Sequence, residues 1–251
     1  MSHELVKQLW QQKNLTSVDA LKNELMEFHM LCAYYSNKID NDKTTYRTLS
    51  DIFEYGKVSK YSGKVYIVQE QQNQRTYLDY VLPKIVEKQP ISPALIKETQ
   101  LLLLQGTYST VKLINNQEFP GYYRKNDYDF AGQVGEEPCD IEGCMNELIE
   151  EVNEATGDPL KIGAYFHGKF LSICPFADGN GRTGRALLNY YLMINDHPPL
   201  VIYDNNKGIY AKTLERFDVT GDLDPLYRFL EAQLLKTWER EIKNLGLNQD
   251  E

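Results

Sequence analysis

Twelve consecutive residues, Cys174-Pro175-Phe176-Ala177-Asp178-Gly179-Asn180-Gly181-Arg182-Thr183-Gly184-Arg185, gather side chains able to do chemistry in this 251-residue chain. A loop ending in Gly179-Asn180-Gly181 can turn successive backbone N–H groups inward, and a helix starting there adds its positive dipole end. Such a nest holds anions of phosphate size. Arg182 and Arg185 stand three apart, so a helix presents both guanidiniums on one face, where they can clamp adjacent phosphates. Asp178 beside the nest is the hard oxygen ligand that a magnesium ion bridging phosphate oxygens takes. Phe176 is expected to turn into the core and pin the loop. Taken singly, Gly-Asn-Gly is usually a turn, paired arginines a solvated helix face and Asp before Gly a cap. Their joint occurrence at fixed offsets favours the phosphate-binding reading.

The segment resembles the motif of the Fic family, His-Pro-Phe-x-Asp/Glu-Gly-Asn-Gly-Arg-x-x-Arg, and every fixed position after the first matches. The likeness extends to residues 121–133, which resemble the family's flap, and to 164–173, which resemble the helix leading into the motif. The resemblance implies an all-α core with a small β-hairpin flap that holds ATP and Mg2+ at the motif loop. It also implies transfer of AMP from ATP to a Ser, Thr or Tyr hydroxyl of a target protein or of the chain itself. Asp178 would then bind magnesium, Gly179, Asn180 and Gly181 the phosphates, and Arg182 and Arg185 the outer phosphates, with in-line attack on the α-phosphate. The alternatives are a nucleotide-binding regulator without turnover and a Fic enzyme that removes AMP or transfers another phosphate-linked group.

Cys174 stands where the family carries the histidine that takes the proton from the attacking hydroxyl. A free thiol ionises near pH 8.5, so only a few per cent is thiolate at neutral pH, and the arginines and helix start are expected to raise that fraction. The side chain also reaches less far than imidazole. Losing general-base catalysis of this kind costs about two to four orders of magnitude. Cys174 reads as an engineered replacement, as the natural residue of a paralogue, as a nucleophile, or as a small buried residue at a helix end. His167, two turns earlier, is not an obvious substitute.

Upstream, Ser36-Asn37-Lys38-Ile39-Asp40-Asn41 resembles the inhibitory pattern Ser/Thr-x-x-x-Glu-Gly/Asn of one Fic subclass. By that likeness Ser36, Asp40 and Asn41 form a brake in which Asp40 pairs with Arg185, although aspartate is one methylene shorter than glutamate. A carboxylate on a bidentate arginine excludes a phosphate from it.

These residues must be positioned by a mostly helical chain. Thr16 with Asp19 opens a helix over about 17 to the high thirties. Ser92-Pro93 starts a buried helix that Gly106 stops, and Tyr77 to Val86 reads as another, bent or broken at Pro83. Helical periodicity follows over 144–155, 160–173, 181–195 and 223–243. Alternating aromatics around Asn126-Asp127 predict the hairpin, at about 119–134. Residues 1–90 form an N-terminal helical region carrying the brake and 91–251 the core, as one compact body.

The net charge of −9 argues against a nucleic-acid partner. No apolar run is long enough for a membrane span and the N-terminus lacks a signal-peptide pattern, so the expectation is a cytoplasmic protein with four reduced cysteines. A homodimer is left open.

Overall fold

In a computed structural model, residues 3–58, 63–129 and 134–244 are described, and they form helices joined by turns. The N-terminal helices are α1 (His3–Gln12), α2 (Val18–Glu24), α3 (Met26–Asp40), α4 (Tyr46–Tyr55) and α5 (Val65–Val86). They are followed by α6 (Pro93–Leu104), α7 (Thr110–Ile114), α8 (Ile141–Glu154), α9 (Pro159–Ile173) and α10 (Asn180–Ile194). The chain closes with α11 (Lys207–Thr220), α12 (Asp224–Thr237) and α13 (Glu239–Asn244).

At the centre, α9 and α10 pack on each other across the motif loop; α3, α5 and α6 cover α10, while α8, α11 and α12 cover α9. One apolar core runs through both halves of the chain, from Val6 to Ile242. Two glycines let the central helices approach closely. A Cβ on Gly184 would lie 3.1 Å from Phe170 Cδ1, and one on Gly163 would lie 3.1 Å from Leu188 Cδ1.

Several helix ends follow local rules. Ser92 caps α6, its Oγ accepting from Leu95 N at 3.2 Å, and Pro93 occupies the first turn, where a missing N–H costs nothing. The helix expected over 17 to the high thirties is two helices. Ser17, not Thr16, caps the first, and the backbone turns at Leu25, where ψ is 5°. The bonds Leu25 N to Leu21 O and His29 N to Leu25 O persist on either side, so the sequence keeps its helical period through the step. The 223–243 pattern divides similarly at Trp238, whose buried ring donates Nε1–H to Pro199 O at 2.7 Å.

Pro83 does not break its helix. It sits in the last turn of α5, and Glu87 N bonds Pro83 O at 3.0 Å to complete the helix end. The first half of α5 is polar and shows no apolar stripe in the sequence, yet its buried Asn73 donates to Leu103 O and Gln105 O, carbonyls left over at the end of α6.

The β-hairpin expected over 119–134 is not formed among the described residues: 119–129 run as turns and bends, and 130–133 lie outside them. The amides that a ladder would use are taken elsewhere. Gly121 N donates to Gln100 Oε1, Arg124 N to Pro175 O, and Lys125 N and Asn126 N to the buried Glu118 carboxylate.

His29, His167 and His197 are buried, and burial lowers their pKa values to about 3, about 3 and about 4. Each therefore contributes stability that is present above the ordinary histidine value and is lost as pH falls through the folded one. The thermal midpoint should decline from about pH 6.5 downward. Both ring nitrogens of His29 lack a hydrogen-bond partner, so His29→Leu should raise the midpoint and flatten its decline in calorimetry between pH 7.5 and 5.

Candidate active site

The loop between α9 and α10 lies among apolar helices, so its backbone carbonyls need donors from the protein itself. Each carbonyl from Ile173 to Asp178 has one. Ile173 O accepts from Glu136 N (3.1 Å), Cys174 O from Arg124 Nε (2.8 Å) and Pro175 O from Arg124 N (2.9 Å). Phe176 O accepts from Asn180 Nδ2 (2.7 Å), Ala177 O from Lys112 Nζ (2.5 Å) and Asp178 O from Gln100 Nε2 (3.0 Å). Asn180 also accepts from Phe176 N through its Oδ1, so its side chain closes the loop. Phe176 is fully buried between Phe170 and Tyr123.

Gly179 permits the final turn, with φ +78° and a Cβ position only 2.4 Å from Leu104 Cδ2. From there α10 begins, and Gly179, Asn180, Gly181, Arg182 and Arg185 line one cavity of ≈ 650 Å³. That volume suits a nucleotide. Cys174 and Asp178 also border it.

Both arginines are buried and both are engaged. Arg185 donates through Nε to Ser36 Oγ (3.0 Å) and through Nη2 to Ser36 O (2.8 Å) and Asp40 Oδ2 (2.9 Å). Arg182 donates through Nη1 to Glu70 Oε1 (3.1 Å), while its Nε lies 3.7 Å from Asp40 Oδ2. Asn41 Nδ2 donates to the other oxygen of Glu70 at 3.2 Å. Two carboxylates, one from the end of α3 and one from α5, thus face two guanidiniums on α10.

Cys174 ends α9 in the left-handed region, with φ 48° and ψ 60°. Its Sγ–H donates to Leu171 O at 2.8 Å, and burial pushes the thiol up to about 12, with Arg124 lowering it only in part. The arginines and helix start do not activate this thiol as expected: the neutral form wins because Cys174 is buried, 3% exposed, and its thiol is already hydrogen-bonded as a donor. His167 lies in the core rather than at the cavity, and its Nε2 meets Tyr210 Oη at 2.6 Å.

Asp178 stands at the loop's outer edge. Its Oδ1 accepts from Gly179 N at 2.8 Å and its Oδ2 lies 3.6 Å from Lys112 Nζ. Among the described residues no group of three or more His, Cys, Asp or Glu converges as a metal site. Glu70, Gln100, Lys112 and Arg124 escaped the sequence reading. Arg124 lies in the stretch that resembles the flap and the other three in stretches without a motif, and only the fold brings their side chains to the loop.

The Fic/DOC family model matches residues 90–192. Curated relatives named "Protein adenylyltransferase Fic" are 34% identical over 113 residues in Aedes aegypti and 33% identical over 120 residues in Drosophila melanogaster. Those stretches are 44% and 47% of this chain but only 22% and 24% of the relatives' own length. A Fic domain containing signaling protein from Bacteroides thetaiotaomicron superposes with a TM-score of 0.80 at 21% identity, over 99% of this chain and 98% of that one. Fic-1, residues 134–508, from C. elegans does so at 0.76 and 22% identity, over 97% and 75%.

Alkylation tests the state of the thiol. A group ionising at about 12 holds about three orders of magnitude less thiolate at pH 8 than a free cysteine. Iodoacetamide at pH 8 should label exposed Cys139 and leave Cys174 unmodified in peptide mass spectra until the protein is denatured. Rapid labelling of Cys174 in the folded chain would identify an activated nucleophile instead.

Proposed function

We propose, for a chain whose residues 90–192 are a Fic/DOC family domain, that its activity is the transfer of AMP from ATP to a Ser, Thr or Tyr hydroxyl of a target protein or of the chain itself. The observation that carries this reading is the pair of buried guanidiniums, Arg182 and Arg185, facing one cavity at the start of α10. Each meets a carboxylate supplied from outside the loop, so each is matched to an anion that a phosphate can replace. The adenylyltransferase names of the relatives support the same reaction.

In this reading Arg182 and Arg185 hold the outer phosphates, and the backbone N–H groups of Gly179, Asn180 and Gly181 receive the inner ones. The hydroxyl attacks the α-phosphate and pyrophosphate departs in line. Asp178 suits a magnesium ion that arrives on the triphosphate, because one carboxylate plus phosphate oxygens and water is an ordinary magnesium shell. That ion would neutralise phosphate charge. The hydroxyl's proton has no acceptor at Cys174, whose sulfur is itself a donor, so turnover is slow.

Ser36, Asp40 and Asn41 form the brake, extended by Glu70. With Asp40 on Arg185 at 2.9 Å, the shorter aspartate still reaches the guanidinium. Residues 1–90 carry the brake and 91–251 the transferase. The target approaches at 119–122, where Phe119 and Tyr122 are exposed next to the segment tied to the loop by Gln100 and Arg124. No helix among the described residues is long and apolar enough to cross a membrane. The cytoplasm is the proposed compartment, consistent with four free cysteines. A second reading, a nucleotide-binding regulator without turnover, is favoured by the neutral thiol at position 174.

Intact mass after incubation with ATP and magnesium separates the two. The chain as it stands should gain little AMP, and Cys174→His should raise the labelling rate by about two to four orders of magnitude. Adding Asp40→Gly, then Glu70→Gln, should raise it further. Absence of labelling in every variant, with ATP binding demonstrated and a hydroxyl-bearing target supplied, would favour the regulator.

A further inference from the structure

Lys112 is a cation at the phosphate site whose charge the loop's hydrogen bonding alone does not explain. It projects from α7, outside the motif, and its ammonium lies at the cavity with one side on Ala177 O (2.5 Å), another 3.6 Å from Asp178 Oδ2, and the ring of Tyr128 at 5.3 Å. A carbonyl oxygen, a carboxylate and an aromatic face are what a bound cation gathers around itself. The side chain is 26% exposed, so its charge is partly shielded from solvent.

We propose that Lys112 is a built-in counter-charge for the nucleotide phosphates, occupying the cation position at Asp178 and lowering the dependence of nucleotide binding on magnesium. This rests on the nucleotide reading of the cavity. The only acidic side chain of the motif loop has one oxygen bonded to Gly179 N and the other faced by Lys112. A divalent ion needs near-octahedral oxygen ligation and therefore reaches Asp178 only if the ammonium yields its place. An ammonium carries three donors, so Lys112 can keep its bond to Ala177 O and turn another N–H onto a phosphate oxygen in the cavity.

A purely structural role, holding Ala177 O, predicts a loss of stability and no change in metal dependence. The two are separated by the affinity of a fluorescent ATP analogue, measured with excess magnesium and with EDTA, in the full chain and in its Asp40→Gly form. Lys112→Arg, which keeps the charge, and Lys112→Gln, which keeps a donor and loses the charge, are compared by this ratio, with thermal midpoints as the fold control. The expected result is a small magnesium effect in the parent and in Lys112→Arg, rising by about tenfold or more in Lys112→Gln. An unchanged ratio in Lys112→Gln, with binding intact, overturns the proposal and leaves the nucleotide reading standing. No binding in the parent or in Asp40→Gly, with or without metal, overturns both.

Discussion

A buried loop between two apolar helices can exist only if its carbonyls are satisfied, and in this protein that requirement organises the surroundings of α9 and α10. Six consecutive carbonyls, from Ile173 to Asp178, take donors from α6, α7, α10, Arg124 and Glu136. Leaving one such buried acceptor without its donor costs about 1–3 kcal/mol. The loop is therefore held in place by several otherwise unrelated segments that converge on it. The same convergence prevents 119–129 from pairing as strands, since their amides and the Arg124 side chain already serve the loop and Glu118.

The second organising feature is charge held out of water. Arg185 is 5% exposed and Arg182 is 8% exposed. A buried guanidinium without an anion is strongly unfavourable, by about 3–5 kcal/mol when its partner is simply removed. Asp40, Glu70 and the Ser36 acceptors meet that need in the free protein, and Tyr210 adds a further contact to Arg185. Opening the site thus calls for exchange of one set of anions for another. This physical coupling links the N-terminal helices to the phosphate pocket in the proposed mechanism, with α3 and α5 acting through two carboxylates.

Local rules made part of this architecture legible in the sequence. The all-helical class follows from apolar periodicity, the start of α6 from Ser92-Pro93, and the common face of Arg182 and Arg185 from their spacing of three. One motif also directed attention to the loop and to Cys174. The steps at Leu25 and Trp238 escaped because a one-residue change in ψ hardly disturbs the periodicity of apolar side chains. The polar first half of α5 escaped because its buried polar residues, Gln71 and Asn73, are held by hydrogen bonds to distant carbonyls and only Ile67 adds a buried apolar side chain there.

By itself the sequence determined which residues could do chemistry at 174–185 and that helices would carry them, because side-chain type and spacing act over a few residues. Only the tertiary structure decided the protonation state of Cys174, the partners of the two arginines and the cation beside Asp178. Those depend on burial and on groups such as Glu70, Lys112 and Arg124, tens of residues away along the chain. Electrostatic free energy is set by distance in space and by the exclusion of water, and neither is written in sequence spacing.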